Sequence, residues 1–130
     1  AAFAAATLTR ADPMRTGFAA VRIGWVAYII PFLFILSPGL LMAGGAMGII
    51  VALVGATIGV WLGSVGLVGY FVRPLPWTQR AIFMASGFLA MLPAEAFAAG
   101  LMLKLVGIVV GAAMVFTELS IRRRAAAAAE

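Results

Sequence analysis

IGWVAYIIPFLFILSPGLLMAGGAMGIIVALVGATIGVWLGSVGLVGYFV, residues 23–72, is a run of fifty side chains without one charge, bounded by Arg22 and Arg73. A helix advances about 1.5 Å per residue, so the run would form a rod of roughly 75 Å against a bilayer hydrocarbon core of about 30 Å. It is therefore expected to cross a membrane twice, and the rest of the chain is read outward from that pair.

Composition points the same way: 65% of the 130 residues are apolar, 10% are charged and the mean hydropathy is +1.18. Soluble domains average about 25% charged residues. The chain has no cysteine and no histidine, which removes disulfides, thiolate chemistry, Cys-ligated metals and the commonest metal ligand and general base. No catalytic, metal or cofactor site is expected, and the chain is not read as an enzyme. The net charge of +5 could suggest nucleic acid, but basic residues at the ends of apolar spans are better explained by membrane orientation.

The first crossing is expected from about Ile23 to Leu36, where Ser37-Pro38-Gly39 interrupts it. Proline removes a backbone donor and disfavours helix in the residue before it. A second helix is expected from about Met47 to Val72, ending at Arg73-Pro74-Leu75-Pro76, with Trp77 suited to the headgroup zone. Ala81 to Ala94 is uncharged for only fourteen residues, about 21 Å of helix, and crosses only if it continues toward Ala98. Leu101 to Ile121 makes the last span, closed by Arg122-Arg123-Arg124. The fold class is thus an all-α, multi-pass integral membrane protein with about four transmembrane helices. Residues 1–22 form an amphipathic segment and elbow, 23–72 the first helix pair, 73–80 a loop, 81–121 the second pair and 122–130 a basic tail. With four crossings, eight of the nine basic residues share one face and only Lys104 lies opposite. The positive-inside rule then puts both termini and the 73–80 loop in the cytoplasm. No signal peptide is read at the N-terminus; a chain opening at Ala1 is expected to be processed, trimmed or incomplete.

Three groups of residues stand out. Gly55, Gly59 and Gly63 repeat every four residues, which stacks them on one helix face where a neighbouring backbone can approach. Pro31, Ser37 and Pro38 mark a kink or break in the first helix, read as structural because no acidic or amide side chain accompanies the freed carbonyls. Glu95, Lys104 and Glu118 are the only ionisable groups outside the cytoplasmic clusters, which makes them relay candidates by default. Position favours plainer roles: Glu95 and Lys104 at the outer interface, where snorkelling suffices, and Glu118 one turn before Arg122, as an i, i+4 pair. Near the N-terminus, Asp12-Pro13 suits a helix start, with Asp as cap and Pro at the first helical position.

Residues 11–42, Ala-Asp-Pro-Met-Arg-Thr-Gly-Phe-Ala-Ala-Val-Arg and onward through Ser37-Pro-Gly-Leu-Leu-Met42, resemble the closing part of the large membrane subunit of TRAP transporters. The likeness is to fused permeases that work with a TAXI-type periplasmic binding protein, and Arg73-Pro-Leu-Pro-Trp-Thr-Gln-Arg80 before two more spans is similar to their C-terminal extension. The resemblance implies a permease component in the bacterial inner membrane. There a cation gradient, usually sodium, drives symport of a small organic solute delivered by the binding protein. The family's ion-site motif and re-entrant hairpins would precede Ala1, so none of those residues is carried onto this chain, which alone should not transport. Implied partners are the bilayer, the upstream permease region or other transmembrane chains, and the periplasmic protein. The alternative is a small accessory subunit packed in a bioenergetic or photosynthetic complex. A channel has no polar stripe behind it.

Overall fold

The computed structural model describes residues 1–94 and 98–127, without the side chain of Ala125. It divides into two compact units, Ala1–Phe32 and Leu33–Glu130. Helix α1, Ala2–Thr9, is built mainly of alanine, the strongest helix former. Arg10 stops it in the left-handed region, at φ 53°. The Ala11 N–H then donates to the Ala6 carbonyl at 3.0 Å and the Arg10 N–H to the Thr7 carbonyl at 3.5 Å, a Schellman closure that satisfies the free carbonyls of the last turn. Two residues later Asp12 opens α2, Pro13–Leu36, its carboxylate accepting from the Met14 and Arg15 N–H groups at 2.8 and 3.2 Å. Helix α2 therefore starts ten residues before Ile23, and the elbow expected within residues 1–22 is confined to Arg10–Asp12. The helix continues through Pro31 to Leu36. Its surface is strongly apolar, with Phe18 72%, Ile23 81% and Phe32 66% exposed, exposure that calls for lipid or another chain rather than water.

In the second unit the break falls at Ser37, whose extended backbone (φ −127°, ψ 96°) leads into a 3-10 turn, Pro38–Leu41. Helices α3, Ala46–Val68, α4, Trp77–Met91, and α5, Gly100–Ala127, follow. Three helices, α2, α3 and the Gly100–Arg124 part of α5, are long and apolar enough to cross a membrane. Helix α4 has 15 residues, about 22 Å of rise. It starts four residues earlier than Ala81 and ends at Met91, before Pro93.

The layer α3–α4–α5 is held together where side chains are missing. A Cβ built on Gly87 of α4 would lie 2.6 Å from the Gly63 nitrogen and 2.8 Å from the Gly59 oxygen of α3. One on Gly66 would lie 2.8 Å from the Arg80 oxygen, and one on Gly107 of α5 would lie 2.7 Å from the Ala90 nitrogen. These are backbone-to-backbone contacts on both sides of α4, which gain dispersion energy in a solvent that offers no hydrophobic drive between helices. The pairings also give direction. Residue 66 meets 80–84 and residue 59 meets 87–91, so α4 runs antiparallel to α3; residue 107 meets 86–90 and residue 100 meets 93–94, so α5 runs antiparallel to α4. Helices α3 and α5 consequently point the same way. Leu62, Val65, Leu75 and Phe83 form the core of the layer, with Ile58, Phe71, Met114 and Val115 packed against them.

Candidate functional site

Charge in this unit is gathered at the two ends of the helix layer. At the end where α3 and α5 begin, Lys104 is 3% exposed and its Nζ donates to the Val51 carbonyl at 3.3 Å. This overturns the expectation of a snorkelling interfacial lysine. Gly55 has no side chain, and a Cβ there would come within 2.6 Å of the ammonium, so the glycine opens the slot into which the lysine folds. The ammonium borders a pocket of about 30 Å³ lined by Ser37, Gly39, Gly48, Pro93 and Ala94 among others, large enough for one or two waters. The helix break contributes directly: the 3-10 turn carries Gly39 to within close contact of Ala52 and Gly48 and leaves Ser37 buried beside the lysine.

At the opposite end α3 stops at Gly69, φ 71°, rather than at Val72. The stop is fixed from α4: the Arg80 guanidinium donates to the carbonyls of Gly66 at 3.2 Å and Leu67 at 3.1 Å, placing a cation on the negative end of the helix dipole. The same guanidinium lies 5.4 Å from the Trp77 ring centroid, within cation–π range. Between Gly69 and Trp77 the chain folds back on itself, the Leu75 N–H donating to the Gly69 carbonyl at 2.9 Å. That turn presents Arg73 to Glu118 of α5, with Nε–Oε2 at 2.8 Å and Nη2–Oε1 at 3.0 Å, a bidentate fork. Glu118 is 1% exposed. Its hydrogen bond and charge push the Arg73 guanidinium further toward the protonated form. The i, i+4 partnership with Arg122 is replaced because the 70–76 turn brings a planar guanidinium to the buried carboxylate, whereas Arg122 is exposed one turn further on. Gln79 adjoins the carboxylate, and its own Oε1 is buried without a partner among the described residues.

Of the residues singled out in the sequence, Gly55, Gly59 and Gly63 lie buried along α3, facing Lys104 and α4. Pro31 lies inside α2, while Ser37 and Pro38 form the junction to the 3-10 turn. Lys104 and Glu118 sit on one helix at its two ends and do not meet. Glu95 lies outside the described residues. The seam roles of Gly87 and Gly107 and the capping role of Arg80 escape the sequence reading, and Gly66, one of the many glycines of the second helix, falls outside the four-residue set singled out there. Gly87 stands alone in its segment, so no repeat exposes it; Gly107 does have a four-residue partner in Gly111, a signal that could have found it, and the sequence offers Arg80 only as a charge beside a span.

Three hydroxyls within the helices are turned onto their own backbones: Thr57 donates to Leu53, Ser86 to Phe83 and Thr117 to Met114, all at 2.7–3.0 Å. Such back-bonding satisfies hydroxyls in an apolar medium and leaves them unavailable as a transport lining. The arrangement can hold helices in fixed register and can bind charge at either end. Comparison with family models, curated proteins and solved structures finds no match to this chain.

Proposed function

We propose that the chain is a membrane component of a TRAP-type secondary transporter, acting in a bacterial inner membrane with a periplasmic solute-binding protein, and that this stretch supplies scaffold rather than ion or solute sites. The likeness of residues 11–42 suggests the family. The observation that carries the scaffold role is the backbone-to-backbone seam on both sides of α4, which fixes α3, α4 and α5 as one rigid layer. A transport pathway needs polar groups free to exchange partners at membrane depth, and here the hydroxyls of Thr57, Ser86 and Thr117 are bonded within their own helices.

Four crossings with both termini cytoplasmic form part of the proposal. Its support is directional: α3 and α5 run parallel, so if both cross, the chain must return through α4 and the residues leading to Gly100. Helix α4 is short by about 8 Å of a 30 Å core. The residues after Met91, beginning Leu92-Pro93-Ala94, supply the difference, and Trp77 marks the other end of α4. Arg73, Arg80 and Arg122–Arg124 then share the cytoplasmic end, in accord with the positive-inside rule.

The test is to delete residues 23–121 in the native host and measure uptake of labelled organic acids with and without a sodium gradient. Loss of sodium-dependent accumulation of a solute bound by the periplasmic partner is expected. Unchanged uptake, together with collapse of a respiratory or photosynthetic complex from which the chain is recovered, would overturn it in favour of the accessory-subunit reading, which the same rigid layer also suits.

A further inference from the structure

Between the polar ends, the flank of the layer between α3 and α5 carries a groove of about 400 Å³ with an almost wholly apolar lining. Ile58 and Trp61 form one wall; Ile108, Ala112 and Phe116 form the other. The groove exists because Gly111 lets Leu62 of α3 close directly onto the α5 backbone, leaving a floor of leucine between two raised walls. Trp61 is 46% and Phe116 73% exposed, so both stand at its lips.

The α5 wall follows a helical stripe, 108, 112, 115–116 and 119, and the next positions on that stripe are 122 and 123. Both are arginine and both are exposed. The groove therefore runs out into two guanidiniums, while Arg73, one turn before them at Glu118, is already engaged by that carboxylate. From these features we infer that the α3–α5 groove binds one acyl chain of an anionic phospholipid whose phosphate is held by Arg122 and Arg123.

A thin, flexible occupant suits the shape. Helices approach closely where both faces are small, as they do on either side of α4, whereas here indole and phenyl walls would hold a helix backbone away from the leucine floor. A slot of this kind admits a hydrocarbon chain, and basic pockets between spans at the cytoplasmic side recognise anionic headgroups. The depth also fits: Leu62 packs on Gly111 of α5, and Arg122 lies eleven residues further along that helix, about 16 Å, so a phosphate beside Arg122 brings the inner half of its acyl chain to neighbouring Trp61. Each arginine near an anionic lipid favours it by about fivefold, so the pair is expected to give roughly tenfold or more over a zwitterionic lipid of the same chains. This inference does not depend on the transporter reading.

Trp61 provides the probe. The chain carries three tryptophans; with Trp25→Phe and Trp77→Phe, Trp61 alone reports. Reconstituted into phosphatidylcholine vesicles, its fluorescence is titrated with phosphatidylglycerol or phosphatidylcholine brominated at mid-chain. Half-maximal quenching at a roughly tenfold lower mole fraction of the brominated phosphatidylglycerol is expected, with the advantage lost in Arg122→Gln/Arg123→Gln. In that variant, retained quenching by brominated phosphatidylcholine shows that the groove is still folded and open. Equal quenching by the two lipids in the parent, within about twofold, overturns the headgroup preference. Absence of quenching by either overturns lipid occupancy and means that protein covers the groove.

Discussion

Replacing Gly87 by alanine adds a single methyl group to α4, and the structure gives it nowhere to go. The new Cβ would stand 2.6 Å from the Gly63 nitrogen, 2.8 Å from the Gly59 oxygen and 3.0 Å from the Gly63 Cα. All three are backbone, so no side chain can rotate away. Ordinary van der Waals contact begins at 3.4 Å, so α3 and α4 must part by about 0.8 Å, the difference between 3.4 and 2.6. A gap of that size forfeits about a quarter to a half of each contact, so every ten atom pairs along the seam lose about 0.3–1 kcal/mol. Overpacking typically costs about 1–3 kcal/mol in total, and the upper part of that range is expected because the methyl is wedged against backbone. Gly24→Ala in α2 is the matched control: nothing lies within 4 Å of its Cβ, and removing a mid-helix glycine should be neutral or stabilise by about 0.5–1 kcal/mol. Reversible unfolding in mixed lipid–SDS micelles, followed by circular dichroism, measures both. If G87A and G24A unfold at the same SDS fraction, the close-packed seam is refuted.

Other consequences separate the two polar ends. Gly69→Ala forces a β-carbon into the left-handed region beside the Arg80 guanidinium and should cost about 1–2 kcal/mol in the same unfolding assay. Arg80→Lys should lose most of the capping that Arg80→Ala loses, about 1.5–3 kcal/mol, because one ammonium cannot serve the two carbonyls as the planar fork does. Arg73→Gln should destabilise more than Glu118→Gln, since the first strands a buried carboxylate and the second frees a half-exposed guanidinium to turn to water; the reverse order in thermal unfolding would contradict the burial of Glu118. Lys104→Met keeps the stem in its slot and removes the buried charge, so stability should be unchanged or higher by about 1 kcal/mol, while Lys104→Ala should lose about 2 kcal/mol or more to the vacated volume.

Where local chemistry decides, the sequence is a good guide. Asp12-Pro13 opens α2 because a carboxylate and a missing N–H both suit a first turn, and neither needs a tertiary partner. The four-residue spacing of Gly55, Gly59 and Gly63 states that they share a face; which helix meets that face is not written in a periodicity. The end of α3 shows the limit. Pro74 and Pro76 suggest helix as far as Val72, yet Gly69 ends it, because the carbonyls of the last turn are claimed by Arg80, eleven residues downstream of that glycine. Glu118 likewise has a sequence-adjacent candidate in Arg122, and it takes Arg73, 45 residues away, because a folded turn delivers a fork to a buried carboxylate. The position of Lys104 at the start of the last span points to an interface; the slot that receives it is made by an absent side chain on another helix.

The chain's lack of cysteine makes its central claim, that α4 carries the chain back across the membrane, directly measurable. Single cysteines at Ala11, Ala43, Thr78, Ala99 and Ala126 are exposed to a membrane-impermeant maleimide in intact cells and again after permeabilisation. Four crossings predict that the cysteines at 43 and 99 react from outside and those at 11, 78 and 126 only once the membrane is opened. Reaction at 78 and 99 from the same side would contradict the account, leaving α4 as a helix that packs against the layer without crossing.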